Sequence, residues 1–116
     1  MYKDGIEVER LNRYENKKSV SHVESCFSEC LPTVAVSEYV RAYTNQIRQW
    51  VNGDYITLGT DGFGRSDTRE ELRNYFEISK DHIVVNALFV SGNKDKAEKY
   101  IKDKKIDLNS KAPWLR

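Results

Sequence analysis

The octapeptide Gly59-Thr60-Asp61-Gly62-Phe63-Gly64-Arg65-Ser66, GTDGFGRS, lies between DYITL, a run with strand character, and SDTREELRNYF, which opens like a helix. A strand, a glycine-rich turn and a helix start, in that order, mark an α/β architecture. The spacing is also one residue from the P-loop pattern G-x-x-x-x-G-K-[S/T], whose loop N–H groups cradle phosphates while a lysine ammonium reaches them. Arg65 stands where that lysine belongs. A guanidinium is planar and larger, so the exchange is not conservative, and Asp61 would set a carboxylate inside the phosphate cradle. The competing reading is a plain turn in which glycine permits positive φ and close approach of neighbouring backbone.

Upstream, TVAV (33–36) reads as a short buried strand, and Ser37 is placed to cap a following helix. In SEYVRAYTNQIRQWVNG (37–53), Tyr39 or Val40, Tyr43, Ile47, Trp50 and Val51 recur at helical steps, with Asn52-Gly53 as the stop. This is the clearest helical pattern in the chain, and its aromatic stripe is expected to pack on a sheet. Strand, helix and strand from Thr33 to Gly59 predict a βαβ unit with parallel strands. Downstream, Asp67 with Glu70, or Thr68 with Glu71, forms a capping box. FEIS (76–79) could add a short third strand. Two or three strands are few for a parallel sheet, which needs both faces covered.

The N-terminal residues 1–20 are polar and aperiodic, and read as an arm or loop with room for one short turn. Residues 21–116 then hold the structured part. In SHVESCFSEC (21–30), a helix from Ser21 to Glu29 would set His22, Cys26 and Cys30 on one face. Structural zinc takes four ligands, and only one further histidine, His82, exists. The thiols are therefore expected to face a core as small apolar groups, without a disulfide inside the helix. His82 has no acid or nucleophile assignable to it and reads as a packed or surface histidine. The run HIVVNALFV (82–90) is apolar throughout, so periodicity alone does not assign it to helix or strand. NKDKAEKYIKDKK (93–105) reads as a lysine-rich helix with a solvated face.

Composition narrows the function classes. The 116 residues carry 19 basic and 18 acidic side chains, a net charge of +1, which gives no electrostatic footprint for nucleic acid or an anionic membrane surface. No apolar run is long enough to span a bilayer, and the N-terminus lacks a leader pattern. A cytoplasmic setting is the expectation.

The segment VAVSEYVRAYTNQIRQWVNGDYITLGTDGFGRSDTREELRNYFEI (34–78) strongly resembles the C-terminal domain of the homodimeric-type pyruvate dehydrogenase component, a thiamine diphosphate enzyme of the transketolase-like superfamily. LGTDGFGRSDTRE is its most recognisable part, DGIEVERLNR (4–13) resembles an upstream family segment, and Phe63-Gly64 matches a wider superfamily pattern. The resemblance implies a three-layer α/β fold with a mixed, mainly parallel sheet. It also favours helix for residues 82–89. Family domains continue after Leu88 through a longer helix, whereas here Ser91-Gly92 interrupts.

The resemblance implies decarboxylation of pyruvate on thiamine diphosphate and transfer of the acetyl group to the lipoyl acetyltransferase component of the complex. Thiamine diphosphate and magnesium belong to the full-length enzyme, on a Gly-Asp-Gly…Asn motif that this sequence does not contain, and the cofactor-activating glutamate lies in another domain. No catalytic, cofactor or metal residue is therefore expected in this chain. The family domain opens with strands that would precede Met1, so a fragment or split-gene product, partnered by the remaining domains, is expected. Gly59, Thr60, Asp61, Gly62, Phe63, Gly64, Arg65 and Ser66 are expected to form a structural or interface turn, with Arg65 and Asp61 available to neighbouring domains and Ser66 or Asp67 serving the helix start. The alternatives are a small nucleotide-binding protein using that turn, or a stand-alone interaction module.

Overall fold

The computed structural model describes residues 1–15, 18–62 and 64–116. Its helices are α1 (Tyr2–Tyr14), α2 (His22–Cys26), α3 (Arg41–Asn45), α4 (Arg69–Tyr75), α5 (Lys80–Val90) and α6 (Lys94–Lys104). The strands β1 (Thr33–Val36) and β2 (Tyr55–Leu58) pair in parallel, with Thr33 opposite Tyr55 and Val36 opposite Leu58. Single 3₁₀ turns follow at Arg48–Trp50 and Pro113–Leu115. The order of elements and the parallel pair are those of an α/β domain, as read from Thr33 to Gly59.

Two small cores hold these pieces. Leu58, Phe76 and Ile78 are buried together, and Val34, Ile56, Leu72, Tyr75 and Ile83 pack around them. On the other side, Val23 of α2 is fully buried, its N–H donates to the Asp4 carboxylate at 3.1 Å, and Trp50 lies against Gly5 of α1. A Cβ on Gly5 would fall 2.5 Å from the Trp50 ring, so this helix face can meet the indole only through glycine.

Residues 2–14 are thus a docked helix, which corrects the reading of 1–20 as an arm or loop. The buried stripe runs through Gly5, a residue without a side chain, and this hides its period. The predicted long helix from Ser37 is also corrected, because it divides into α3 and a 3₁₀ turn. The Tyr55 hydroxyl donates to the Thr44 carbonyl at 2.7 Å, and that carbonyl is the one a continuing α-helix would give to the Arg48 amide. Ser37 does not cap this helix: its Oγ accepts from the Tyr39 amide, and α3 begins only at Arg41. Of the aromatic stripe, Trp50 is buried against α1 while Tyr39 and Tyr43 stay exposed, with ring centroids 5.4 Å apart.

FEIS is not a strand. Phe76 closes α4, and Glu77 follows at φ 59° in the left-handed region, which extended backbone does not visit. The apolar run 82–90 is helical, within α5. Ser91 and Gly92, the latter at φ 82°, make the turn into α6.

Of the two candidate caps, Thr68 is the one used. Its Oγ1 accepts from the Glu71 amide at 3.3 Å, while the Asp67 carboxylate accepts from the Thr68 amide. Ser66 is exposed and is not the cap. Thr68→Ala is expected to cost about 1 kcal/mol, the usual value of an N-cap. Urea unfolding checks it.

Strand edges follow from the ladder. The Thr33 amide donates to Asp54 O and the Ser37 amide to Leu58 O, so alternation turns Thr33 and Ala35 towards β2, and Val34 and Val36 outwards. On the far side of β2, the outward Tyr55 carbonyl accepts from Arg48 Nη1 at 2.9 Å. Among the described residues, nothing caps the outward N–H and C=O groups of Val34 and Val36. The radius of gyration is 17.3 Å and the extents are 55 × 34 × 20 Å, against about 13 Å for a compact domain of similar length. The molecule is a slab.

Candidate functional site

The turn that follows β2 is fastened to the stretch that follows β1. The Thr60 amide donates to Tyr39 O at 2.9 Å, and the Thr60 hydroxyl donates to Glu38 O at 2.8 Å. Gly59 is where the two segments cross: a Cβ there would lie 2.7 Å from Tyr39 O and 2.8 Å from Arg41 N. Asp61 Oδ1 accepts the Arg41 amide at 3.1 Å. Asp61 Oδ2 lies 3.1 Å from Arg41 Nε, yet among the described residues that N–H has no hydrogen-bond partner. The contact is therefore coulombic attraction without a formed hydrogen bond.

Gly62, at φ 123°, meets the C-terminal segment, where its Cβ would lie 3.1 Å from Pro113 O, whereas a Cβ on Gly64 would meet nothing within 4 Å among the described residues. Arg65 lies over the Tyr75 ring, 4.4 Å from its centroid. Phe63 lies outside the described residues. The structure thus brings Gly59, Thr60, Asp61 and Gly62 against chain segments far away in sequence, and Arg65 against α4. Ser66 takes part in none of these contacts. The partners Arg41, Tyr75 and Pro113 were not legible beforehand, since each is an ordinary residue until the fold sets it beside the turn.

Between the turn and α4 lies a groove of about 420 Å³ whose walls include Glu38, Arg65, Arg69, Leu72, Arg73 and Phe76. Glu38 and Arg73 pair across it at 2.6 Å, and the Arg73 hydrogen bond, then its charge, hold the Glu38 carboxyl below its ordinary value. The turn is poorly built for a nucleotide: the Thr60 amide is spent on Tyr39, and the Asp61 carboxylate, which would repel a phosphate, lies within it. Nor do its groups fit a diphosphate-bound magnesium, because Asp61 is engaged by Arg41 through both oxygens. Among the described residues, no group of three or more His, Cys, Asp or Glu side chains is placed to hold a metal ion.

Cys26 and Cys30 are exposed free thiols, which corrects the expectation that they face a core. The helix ends at Cys26, so its inward position is Val23. His22 Nε2 lies 3.5 Å from Cys26 Sγ, a contact at the surface.

His82 is half-buried, with Nδ1 2.8 Å from the Ser79 hydroxyl. Burial pushes its pKa below the ordinary 6.5, opposed by Glu77 and Asp81 and assisted by Arg116. The neutral form is favoured in the fold, so the contribution to stability is present above the unfolded value and lost as pH falls below about 6.5 towards the folded value. Thermal unfolding is expected at lower temperature at pH 5.5 than at pH 7.5, with His82→Gln flattening the difference. Glu38 and Asp107, already below 4.5 and 3.8 in the fold, act only at more acid pH.

Among the described residues, no helix is long and apolar enough to cross a membrane. The family model of the transketolase-like TK C-terminal domain matches residues 7–79, a span that includes the later part of α1, both strands and the turn. The pyruvate dehydrogenase E1 component of Pseudomonas aeruginosa is 47% identical over 90 residues, covering 74% of this chain and 10% of that protein. For Cupriavidus necator the same component is 40% identical over 119 residues, covering 96% and 13%. For Escherichia coli K12 it is 39% identical over 89 residues, covering 74% and 10%. The chain spans about a tenth of the length of these curated relatives. From the glycine-rich turn outward, in sequence and in fold, this chain belongs to the transketolase-like C-terminal domain family.

Proposed function

We propose that this chain is the C-terminal portion of a pyruvate dehydrogenase E1 component, a part that packs and assembles the subunit and performs no chemistry itself. The whole enzyme would decarboxylate pyruvate on thiamine diphosphate and pass the acetyl group to lipoyl groups of the acetyltransferase component, in the cytoplasm. Thiamine diphosphate and magnesium would be held by the remaining domains. Residues 21–116 would form the body of the partial domain with α1 docked on it, and Gly59–Ser66 would act as a structural turn at an interface.

The observation that carries this reading is the outer edge of β1, where the Val34 and Val36 backbone groups have no partner among the described residues. An open edge is a template for another strand. A second feature agrees. Helix α5 spreads Ile83, Val84, Val85, Leu88 and Phe89 over several of its sides, yet none of its residues is fully buried and Phe89 is 57% exposed. A helix apolar all round belongs in the interior of something larger.

Hydrogen exchange tests the edge. Alone, the Val34 and Val36 amides should exchange rapidly. Mixed with the Pseudomonas aeruginosa E1 component lacking its matching segment, they should become protected. Rapid exchange in a formed complex would contradict the proposal.

A further inference from the structure

The C-terminal segment makes contacts of an unusual kind for a tail. Pro113 is buried, and its carbonyl sits against Gly62, where a Cβ would come within 3.1 Å. Next to it, the Trp114 ring carries the Arg41 guanidinium at 4.8 Å from its centroid. Arg41 is the same residue that Asp61 holds through its amide. At the other end, Arg116 Nη1 donates to Tyr75 O and Nη2 to Glu77 Oε1, each at 3.0 Å. The Tyr75 ring has both Arg116, at 5.0 Å, and Arg65 of the turn, at 4.4 Å, against it.

The tail and the turn therefore share two anchors. Arg41 is gripped by Asp61 from the turn and by Trp114 from the tail, while Tyr75 is gripped by Arg65 from the turn and by Arg116 from the tail. The Arg41 anchor lies after the carboxyl end of β1, where that segment crosses the one after β2. We infer that Pro113–Arg116 is a strap whose seating holds Gly59, Thr60 and Asp61 of the turn against Tyr39–Arg41, so that lifting the strap frees them while the strand pair and α6 stay folded.

The physical basis is coupling through shared partners. A guanidinium fixed by a carboxylate stacks on an indole at lower entropic cost, and the indole in turn restrains the guanidinium that the carboxylate holds. Such coupling is reciprocal, so loosening either segment loosens the other. At Arg41 it is also local, because Arg41 is not among the residues packed on the buried Leu58, Phe76 and Ile78 cluster, whereas Tyr75 is.

Amide hydrogen exchange by NMR on the full chain tests the strap. The reporters are the Thr60 amide, bonded to Tyr39 O, and the Arg41 amide, bonded to Asp61. Trp114→Ala is expected to speed exchange at both by roughly tenfold, the scale of one partly desolvated cation–π contact. Amides of the β1–β2 ladder and of α6 should change by less than about twofold. Unchanged rates at Thr60 and Arg41 would overturn the inference. So would a uniform rise across ladder and turn, which would make the tail an ordinary contributor to global stability. Arg116→Ala removes the other anchor at the surface and is expected to give the same local pattern, so the inference stays testable should Trp114→Ala not fold.

Discussion

Phe76→Ala should lower stability by about 3–5 kcal/mol, the usual cost of deleting a buried aromatic ring. Phe76 is 6% exposed at the centre of the Leu58 and Ile78 cluster, and it meets the Tyr75 ring edge-on at 4.9 Å and 87°. A small domain has roughly 5–15 kcal/mol in total, and a slab with two minor cores sits at the low end of that range. The variant is therefore expected to be largely unfolded at room temperature. Urea or thermal unfolding by circular dichroism reads the change, and a loss below about 1 kcal/mol, the scale of a typical point mutation, would show that this cluster is not the core.

Gly59→Ala is the second large effect. The new methyl carbon would lie 2.7 Å from Tyr39 O and 2.8 Å from Arg41 N, and both are backbone atoms that cannot swing aside. Overpacking of this kind costs about 1–3 kcal/mol, and separating the segments would also stretch the bond from the Thr60 amide to Tyr39. Gly64→Ala is the internal control. Among the described residues it has nothing within 4 Å, so its effect should stay within about 0.5 kcal/mol. Equal effects at the two positions would mean that the crossing at Gly59 is not tight.

The contrast between these two glycines also marks how far the sequence could be read. The turn itself, both strands and the Thr68 cap of α4 were legible, because each rests on residues within a few positions of one another. The apolar run that became α5 was ambiguous by periodicity and was assigned through family resemblance. What escaped reading was decided by distant partners. The Tyr55 hydroxyl takes the Thr44 carbonyl and ends the long helix early, and Trp50 demands a glycine at position 5, which masks the period of α1. Likewise, nothing local places Val23 rather than Cys26 inside, or sets Glu77 in a left-handed conformation where a strand was expected. For the candidate site, the glycines were visible, but the contacts of the turn with Arg41, Tyr75 and Pro113 belong to the tertiary fold.

The claim that this chain is one part of a larger subunit is tested most directly by complementation. The Pseudomonas aeruginosa E1 component lacking the segment that matches this chain would be co-expressed with it, and pyruvate decarboxylation measured with thiamine diphosphate and magnesium supplied. Restored decarboxylation is the expected result. It should be lost with Val36→Pro, because proline removes only the outward amide of an edge strand and so leaves this chain folded while blocking the added strand. No complex and no restored activity would contradict the claim, and activity indifferent to Val36→Pro would contradict the assignment of β1 as the joining edge.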